Sequence, residues 1–195
     1  MKNTMDQIRS QIEESLKIKG LILEDGGILS SINEAASICC RSLRKGNKII
    51  FAGNGGSAAE AQHLAAELVG RYSLERPGIA ALAVTSNTSI ITAISNDLGF
   101  EKLYARQIEA VGKKGDVLIS LSTSGNSTNI LEGIKLAKKA GVVTIGMTGK
   151  SGGRMNRLCD LIIKVPSQET PRIQEAHILI GHIICSLIEN GIFGK

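Results

Sequence analysis

Tryptophan is absent from this chain of 195 residues, prolines number only 3, and aromatic residues make up 3% of it. So few rings argue against a binder of single-stranded nucleic acid, which stacks successive bases on exposed aromatics. The four cysteines, Cys39, Cys40, Cys159 and Cys185, form no C-x-x-C pair and no zinc-finger spacing, and three of them stand among apolar residues. Reduced, buried thiols of that kind suit a cytoplasmic protein. No apolar run approaches the length of a membrane span, and Met1 to Ser10 lacks the apolar core of an export signal. Neither nucleic acid nor membrane is therefore an expected partner. No repeat, low-complexity tract or linker marks a second domain, so residues 1–195 read as one. Strong charge of one sign is missing too: 23 basic and 18 acidic side chains leave a net charge of +5, which favours anionic ligands without forming a basic stripe.

What the chain does have is apolar substance, 43% of residues, and 22 glycines. At this length an α/β domain buries about 70% of the surface its unfolded chain exposes. Short apolar runs rich in β-branched residues at Lys48–Ala52, Ile79–Val84, Val117–Leu121, Val142–Met147 and Leu161–Val165 predict five strands. Helical spacing at Ser57–Leu68, Ser89–Ser95, Lys102–Val111, Asn129–Ala140 and Arg172–Glu189 alternates with them. That alternation predicts an α/β fold, a doubly wound three-layer α/β/α sandwich on a five-stranded parallel sheet. Two further helical stretches, Met5–Leu23 and Ile28–Arg44, precede the first strand and flank Glu24-Asp25-Gly26-Gly27, a turn signal. Residues 1–45 are thus expected to form a helical hairpin, free of any strand and available to a neighbouring subunit.

Ligands of such sheets bind beyond the carboxyl ends of the strands, which directs attention to three polar loops. In Ser122-Thr123-Ser124-Gly125-Asn126-Ser127-Thr128 an apolar strand runs into five hydroxyl residues within seven positions. Backbone N–H groups and hydroxyls gathered at the positive end of a helix form a phosphate cradle that needs no lysine. The alternative is a plain helix cap by Ser127 or Thr128, which five hydroxyls exceed. After the first strand, Gly53-Asn54-Gly55-Gly56-Ser57 permits close backbone approach but is neither the G-x-G-x-x-G of a dinucleotide site nor a P-loop. Ser57 with Glu60 has the spacing of a capping box. Asn96-Asp97 ends a short helix, either facing the same rim or acting as a local cap.

His63 and Glu67 lie one helical turn apart, so their side chains share a face. An imidazole and a carboxylate so placed can grip a metal or a sugar hydroxyl, or make an ordinary surface pair. Leu64, Ala65, Ala66 and Leu68 around them predict a packed stretch. The last helix, with Thr170 as its expected cap and Pro171 at its first position, carries Gln174, Glu175, His177 and His182 in an apolar setting. Two of the chain's three histidines there point either to hydrogen-bonded core residues or to polar chemistry inside an apolar wall.

Four motifs together, Gly53-Asn54-Gly55-Gly56-Ser57 leading to His63-x-x-x-Glu67, Asn96-Asp97, Ser122-Thr123-Ser124-Gly125-Asn126-Ser127, and Arg172-Ile173-Gln174-Glu175 with His182, resemble the phosphoheptose isomerases over nearly the whole chain. These are sugar isomerase (SIS) domain proteins. The resemblance implies conversion of D-sedoheptulose 7-phosphate to D-glycero-D-manno-heptose 7-phosphate, an early step toward the heptose of bacterial surface glycans. It implies a cytoplasmic homotetramer with zinc, one per subunit, bound near His63, Glu67, Gln174 and His182. Substrate contacts carry over onto Asn54, Gly55, Gly56, Glu67, Asn96, Asp97, Ser122, Thr123, Ser124, Ser127 and Gln174. Pro171 stands where the family often has an acid.

Aldose–ketose interchange moves one proton between two carbons through an enediol and another between two oxygens. Glu67 is expected to take the carbon-bound proton and His182 to serve the oxygens. Gln174 and His182, eight positions apart, are separated by about 12 Å along a regular helix. A site shared between chains would resolve that separation. Two other functions fit the same fold. The DnaA initiator-associating protein is a relative that binds a replication initiator, and other sugar-phosphate isomerases or sensors share the phosphate chemistry.

Overall fold

All five apolar runs become strands: β1 (Ile49–Gly53), β2 (Ala81–Ala83), β3 (Val117–Ser122), β4 (Val143–Thr148) and β5 (Leu161–Lys164). The computed structural model describes residues 3–194. Residues 1, 2 and 195, at the ends of the expected 1–45 and 1–195 spans, lie outside it. The strands pair in parallel in the order β2-β1-β3-β4-β5. Every residue of β1 and β3 is buried, as a parallel sheet covered on both faces requires. The edge strand β2 is shorter than Ile79–Val84 because the Ile79 N–H donates to Leu68 O instead of to the ladder.

The described residues form seven α-helices, α1 (Thr4–Glu24), α2 (Gly26–Arg44), α3 (Gly56–Val69), α4 (Thr88–Asp97), α5 (Leu103–Val111), α6 (Thr128–Lys139) and α7 (Thr170–Phe193), of which α2, α3 and α7 cover one face of the sheet and α5 and α6 the other. Side chains of β3 alternate between two cores, as pleating dictates. Val117, Ile119 and Leu121 join α2, α3 and α7 on one face, while Leu118 joins Ile50, Tyr104, Ile108, Ile130 and Ile134 on the other. The expected three-layer α/β/α sandwich is thereby realised. In this order the winding reverses between β1 and β3, so both of the loops that follow these strands open onto one crevice.

Three local expectations fail. The predicted hairpin is instead two helices joined by Asp25 alone, whose Oδ1 accepts from Gly27 N at 2.8 Å and Ile28 N at 3.0 Å and restarts the helix at once. A helical hairpin needs a loop of about 2–5 residues. Helix α1 consequently buries only Ile22 and leaves Met5, Ile8, Ile12 and Leu16 about half exposed or more. Glu169, not Thr170, occupies the cap position of α7, and no side chain bonds there. The third concerns length, because α7 has 24 residues and is apolar enough by composition to cross a membrane. Its apolar face is spent on the core, where Ile173, Ile180, Ile184 and Ile188 pack against α2, α3 and the sheet.

Candidate active site

The loop after β1 and the loop after β3 come together at one end of the candidate site. Gly53 is required by crowding, since a Cβ there would lie 2.3 Å from Ser57 O. Gly125 is required by its φ of +65° and because its Cβ would lie 2.2 Å from Gly152 O. Met155 N donates to Gly125 O and Arg154 N to Asn126 Oδ1, pinning the hydroxyl loop from the next connection. Gly55 and Ser127 take the cap positions of α3 and α6, yet neither helix has a side-chain cap bond. The Ser127 hydroxyl faces Ser122 Oγ at 3.2 Å instead. Two helix N-termini whose cap residues make no side-chain bond thus meet at one crevice, and their dipoles favour an anion there.

Asn54 is held rather than free. Its Nδ2 donates to Asn129 Oδ1 and Asn129 Nδ2 donates back to Asn54 Oδ1, both at 2.9 Å, while the buried Tyr104 hydroxyl bonds Gly53 O. Beside this pair opens a cavity of about 580 Å³ lined by Asn54, Phe100, Glu101, Ser127, Thr128 and Asn129. A larger groove of about 680 Å³ lies on the outer face between α5 and α6, where Lys102 and Lys135 pair with Glu132 and Arg106 with Glu109. None of the polar motifs reaches it.

The second part of the site lies along the seam of α3 and α7. The two helices run side by side: a Cβ on Gly56 would meet Gln174 Nε2 at 2.4 Å, and one on Gly181 would meet Leu64 Cδ2 at 2.5 Å. At the far end of this seam His63 Nε2 lies 2.9 Å from His182 Nε2 and 3.1 Å from Glu67 Oε1. Leu64, Ala65 and Leu68 are buried beneath, but Ala66 is exposed and His63 and Glu67 face the open side. Two neutral imidazole nitrogens that close have one proton to share between them at most. A set of two imidazoles and a carboxylate aimed at one point suits a cation with N/O ligands such as zinc, and leaves a coordination position open. The residues present therefore fit the metal.

Gln174 is not brought to that cluster within one chain; it lies against Gly56 at the start of α3, two helical turns away. Asn96 and Asp97 are exposed and bond each other, Nδ2 to Oδ1 at 2.8 Å, with no hydrogen bond to the crevice among the described residues. The Ser57–Glu60 capping box is absent, because Gly55 holds the cap position and Ser57 is buried inside the helix. Glu60 instead lies on the same helical stripe as His63 and Glu67, and burial pushes its carboxyl up to about 7, with the Ser57 hydroxyl pulling it the other way. His177 is wholly buried, and burial pushes it down to about 4, with the Thr148 backbone pulling it the other way.

Sequence reasoning missed Asn129, Tyr104, Tyr72 and the pair Arg76–Glu189. Asn129 stands directly after the hydroxyl loop, a positional signal; the others have none in local pattern. Tyr72 places its ring 5.7 Å from that of His182. The side chains of Arg76 and Glu189 are each 1% exposed and bond at 2.9 Å from Nε to Oε1.

Comparison with known proteins gives the family. The SIS domain family model matches residues 27–149. The phosphoheptose isomerase of Aneurinibacillus thermoaerophilus is 53% identical over 188 residues, covering 96% of this chain and 95% of its own. Phosphoheptose isomerase 2 of Campylobacter jejuni is 52% identical over 195 residues, 100% of this chain and 97% of its own. Among solved structures, phosphoheptose isomerase GmhA from Neisseria gonorrhoeae superposes with a TM-score of 0.91 at 37% identity, covering 96% of this chain and 100% of its own. A phosphoheptose isomerase from Francisella tularensis superposes at 0.92 with 34% identity, covering 96% and 99%. With its polar loops at the switch point of the sheet and its His63–Glu67–His182 cluster, the chain belongs to the SIS domain family and, within it, to the phosphoheptose isomerases.

Proposed function

We propose that this chain interconverts D-sedoheptulose 7-phosphate and D-glycero-D-manno-heptose 7-phosphate in the formation of bacterial surface heptose. The convergence of His63, Glu67 and His182 at 2.9 and 3.1 Å carries this reading. About 10 Å of helix α3 separates Gly56 from His63, so a sugar chain anchored by its phosphate reaches the cluster with its first carbons. Ser122, Thr123, Ser124, Ser127, Asn54, Gly55, Gly56 and Gln174 hold the phosphate end. Asn96 and Asp97 contact substrate only from a second subunit, given their place on the outside of one chain.

Glu67 uses one oxygen on His63 and keeps the other for the proton exchanged between C1 and C2. His182 carries the proton between the two oxygens of the enediol. Each role is worth roughly 100- to 10,000-fold. Zinc held by His63, Glu67 and His182 supplies Lewis-acid polarisation of the carbonyl when bound. The reading includes a homotetramer in the cytoplasm with sites shared between subunits; the exposed stripe of α1 and the four free cysteines support it. Turnover of D-sedoheptulose 7-phosphate by the purified, zinc-loaded protein, with Glu67→Gln and His182→Ala beside it, tests the reading. A folded, loaded parent that does not turn over this sugar overturns it.

A further inference from the structure

The seam between α3 and α7 is closed beyond the cluster by an ion pair that touches both of its sides. The Arg76 guanidinium caps the carboxyl end of α3: Nη2 donates to Glu67 O at 2.9 Å, and Nη1 donates to Leu68 O at 2.8 Å and to Gly70 O at 3.1 Å. A cation is favoured there by the helix dipole. Glu189, two turns beyond His182 on α7, accepts from Tyr72 N at 3.1 Å, Ser73 N at 2.9 Å and Leu74 N at 2.8 Å. One carboxylate therefore holds the turn that lays Tyr72 on His182, and one guanidinium holds the backbone of Glu67. Burying both charges gives little net stability compared with apolar side chains of similar size. A role beyond stability follows from what the two groups grip.

We propose that the Arg76–Glu189 pair is a positioning element of the reaction centre, setting the register of α3 against α7 and seating Tyr72 on His182 so that His63, Glu67 and His182 converge. This inference rests on the reading of those three residues as the reaction centre. Neither member of the pair touches substrate; both act through Glu67, Tyr72 and His182.

Glu189→Gln and Arg76→Lys are the variants, with Ile134→Val as a control in the opposite layer. With three histidines and two tyrosines in the chain, selectively labelled rings give a sparse NMR spectrum in which the His63–His182 and Tyr72–His182 contacts are observed directly, without metal. The folded pair variants are expected to lose those ring contacts. Their zinc affinity, measured by competition with a chromophoric chelator, should fall about 10- to 100-fold, the range for groups that orient metal ligands. Their kcat should fall while KM for the sugar phosphate holds, since the phosphate loops lie at the other end of the seam. Ile134→Val keeps contacts, affinity and kcat. Pair variants that keep the ring contacts, or lose affinity no more than the control does, overturn the proposal. A parent that shows the contacts but neither binds zinc nor turns over refutes the function reading instead, and the ring contacts still judge the pair. Should Arg76→Lys not fold, Glu189→Gln, which keeps shape and an acceptor, decides alone.

Discussion

His63 and His182 stand 119 positions apart in the chain and bring their Nε2 atoms to 2.9 Å. Neither helix alone makes that contact. It exists because Gly181 lets α7 lie directly on Leu64, where any Cβ would fall 2.5 Å from Cδ2. His182 then arrives beside His63, and Glu67, one turn on, completes the group.

Glu67→Gln is expected to lower kcat roughly 100- to 10,000-fold with KM little changed, because the amide keeps the shape but takes no proton. His182→Ala should lower kcat by a similar factor and weaken zinc binding as well. Steady-state kinetics on D-sedoheptulose 7-phosphate at matched zinc loading check both. Equal turnover in parent and Glu67→Gln would exclude this carboxylate as the base. Chelation should depress turnover reversibly, with zinc restoring it.

Gly125→Ala tests the hydroxyl loop. A side chain there meets both a φ of +65° and a backbone carbonyl at 2.2 Å, so the loop must shift away from the turn at Gly152. KM for the sugar phosphate should rise about tenfold or more, equivalent to about 1.4 kcal/mol of lost binding. Inorganic phosphate should inhibit the variant correspondingly less well. An unchanged inhibition constant would mean that the anion is held elsewhere.

His177 predicts an acid limit to stability. Burial holds it at about 4, while in the unfolded chain it takes the ordinary imidazole value of 6.5. Between those values the unfolded state binds a proton that the folded state does not, so stability rises with pH across the window and is lost on acidification. The contribution is on the order of 3 kcal/mol over the full window. Glu60, whose carboxyl burial holds at about 7, acts in the opposite sense over the same range and equally in both proteins, so urea unfolding at about pH 4.5 and about pH 7 should show the parent gaining more stability with rising pH, or losing less, than His177→Gln. Identical slopes would place the acid sensitivity in another group.

Ile8→Lys combined with Ile12→Lys should reduce the assembly state read by light scattering. These side chains are 48% and 55% exposed and lie outside both cores, so the substitutions cost little packing within the chain. Unaltered mass would show that the stripe of α1 lies outside the subunit interface.

Much of this was legible in the amino-acid order. Strand runs such as Val117–Leu121 are apolar at every position but Ser120 because a doubly covered sheet buries both faces, and that pattern is independent of what lies across the chain. The hydroxyl loop was equally readable, since Ser122 to Thr128 is contiguous. Glu60 was misread because the spacing of a capping box is also the spacing of one helical stripe, and only the cap at Gly55 distinguishes them. Thr170 failed as a cap for the same kind of reason, the helix beginning one residue earlier than its side chain suggests. Arg76 and Glu189 carried no local signal, because a buried ion pair is defined by partners 113 positions apart.

By itself the sequence determined the alternation of strand and helix, the two polar loops rich in glycine and hydroxyls and the kinds of acid and base side chain available, all of which depend on neighbours within a turn or two. Tertiary structure alone decided which of those residues meet. It joined His63 and Glu67 to His182, set Gln174 against Gly56, left most of α1 exposed and closed the seam with Arg76 and Glu189. Such contacts depend on helix register and crossing, which are set by close packing across the whole core and not by any short stretch of chain.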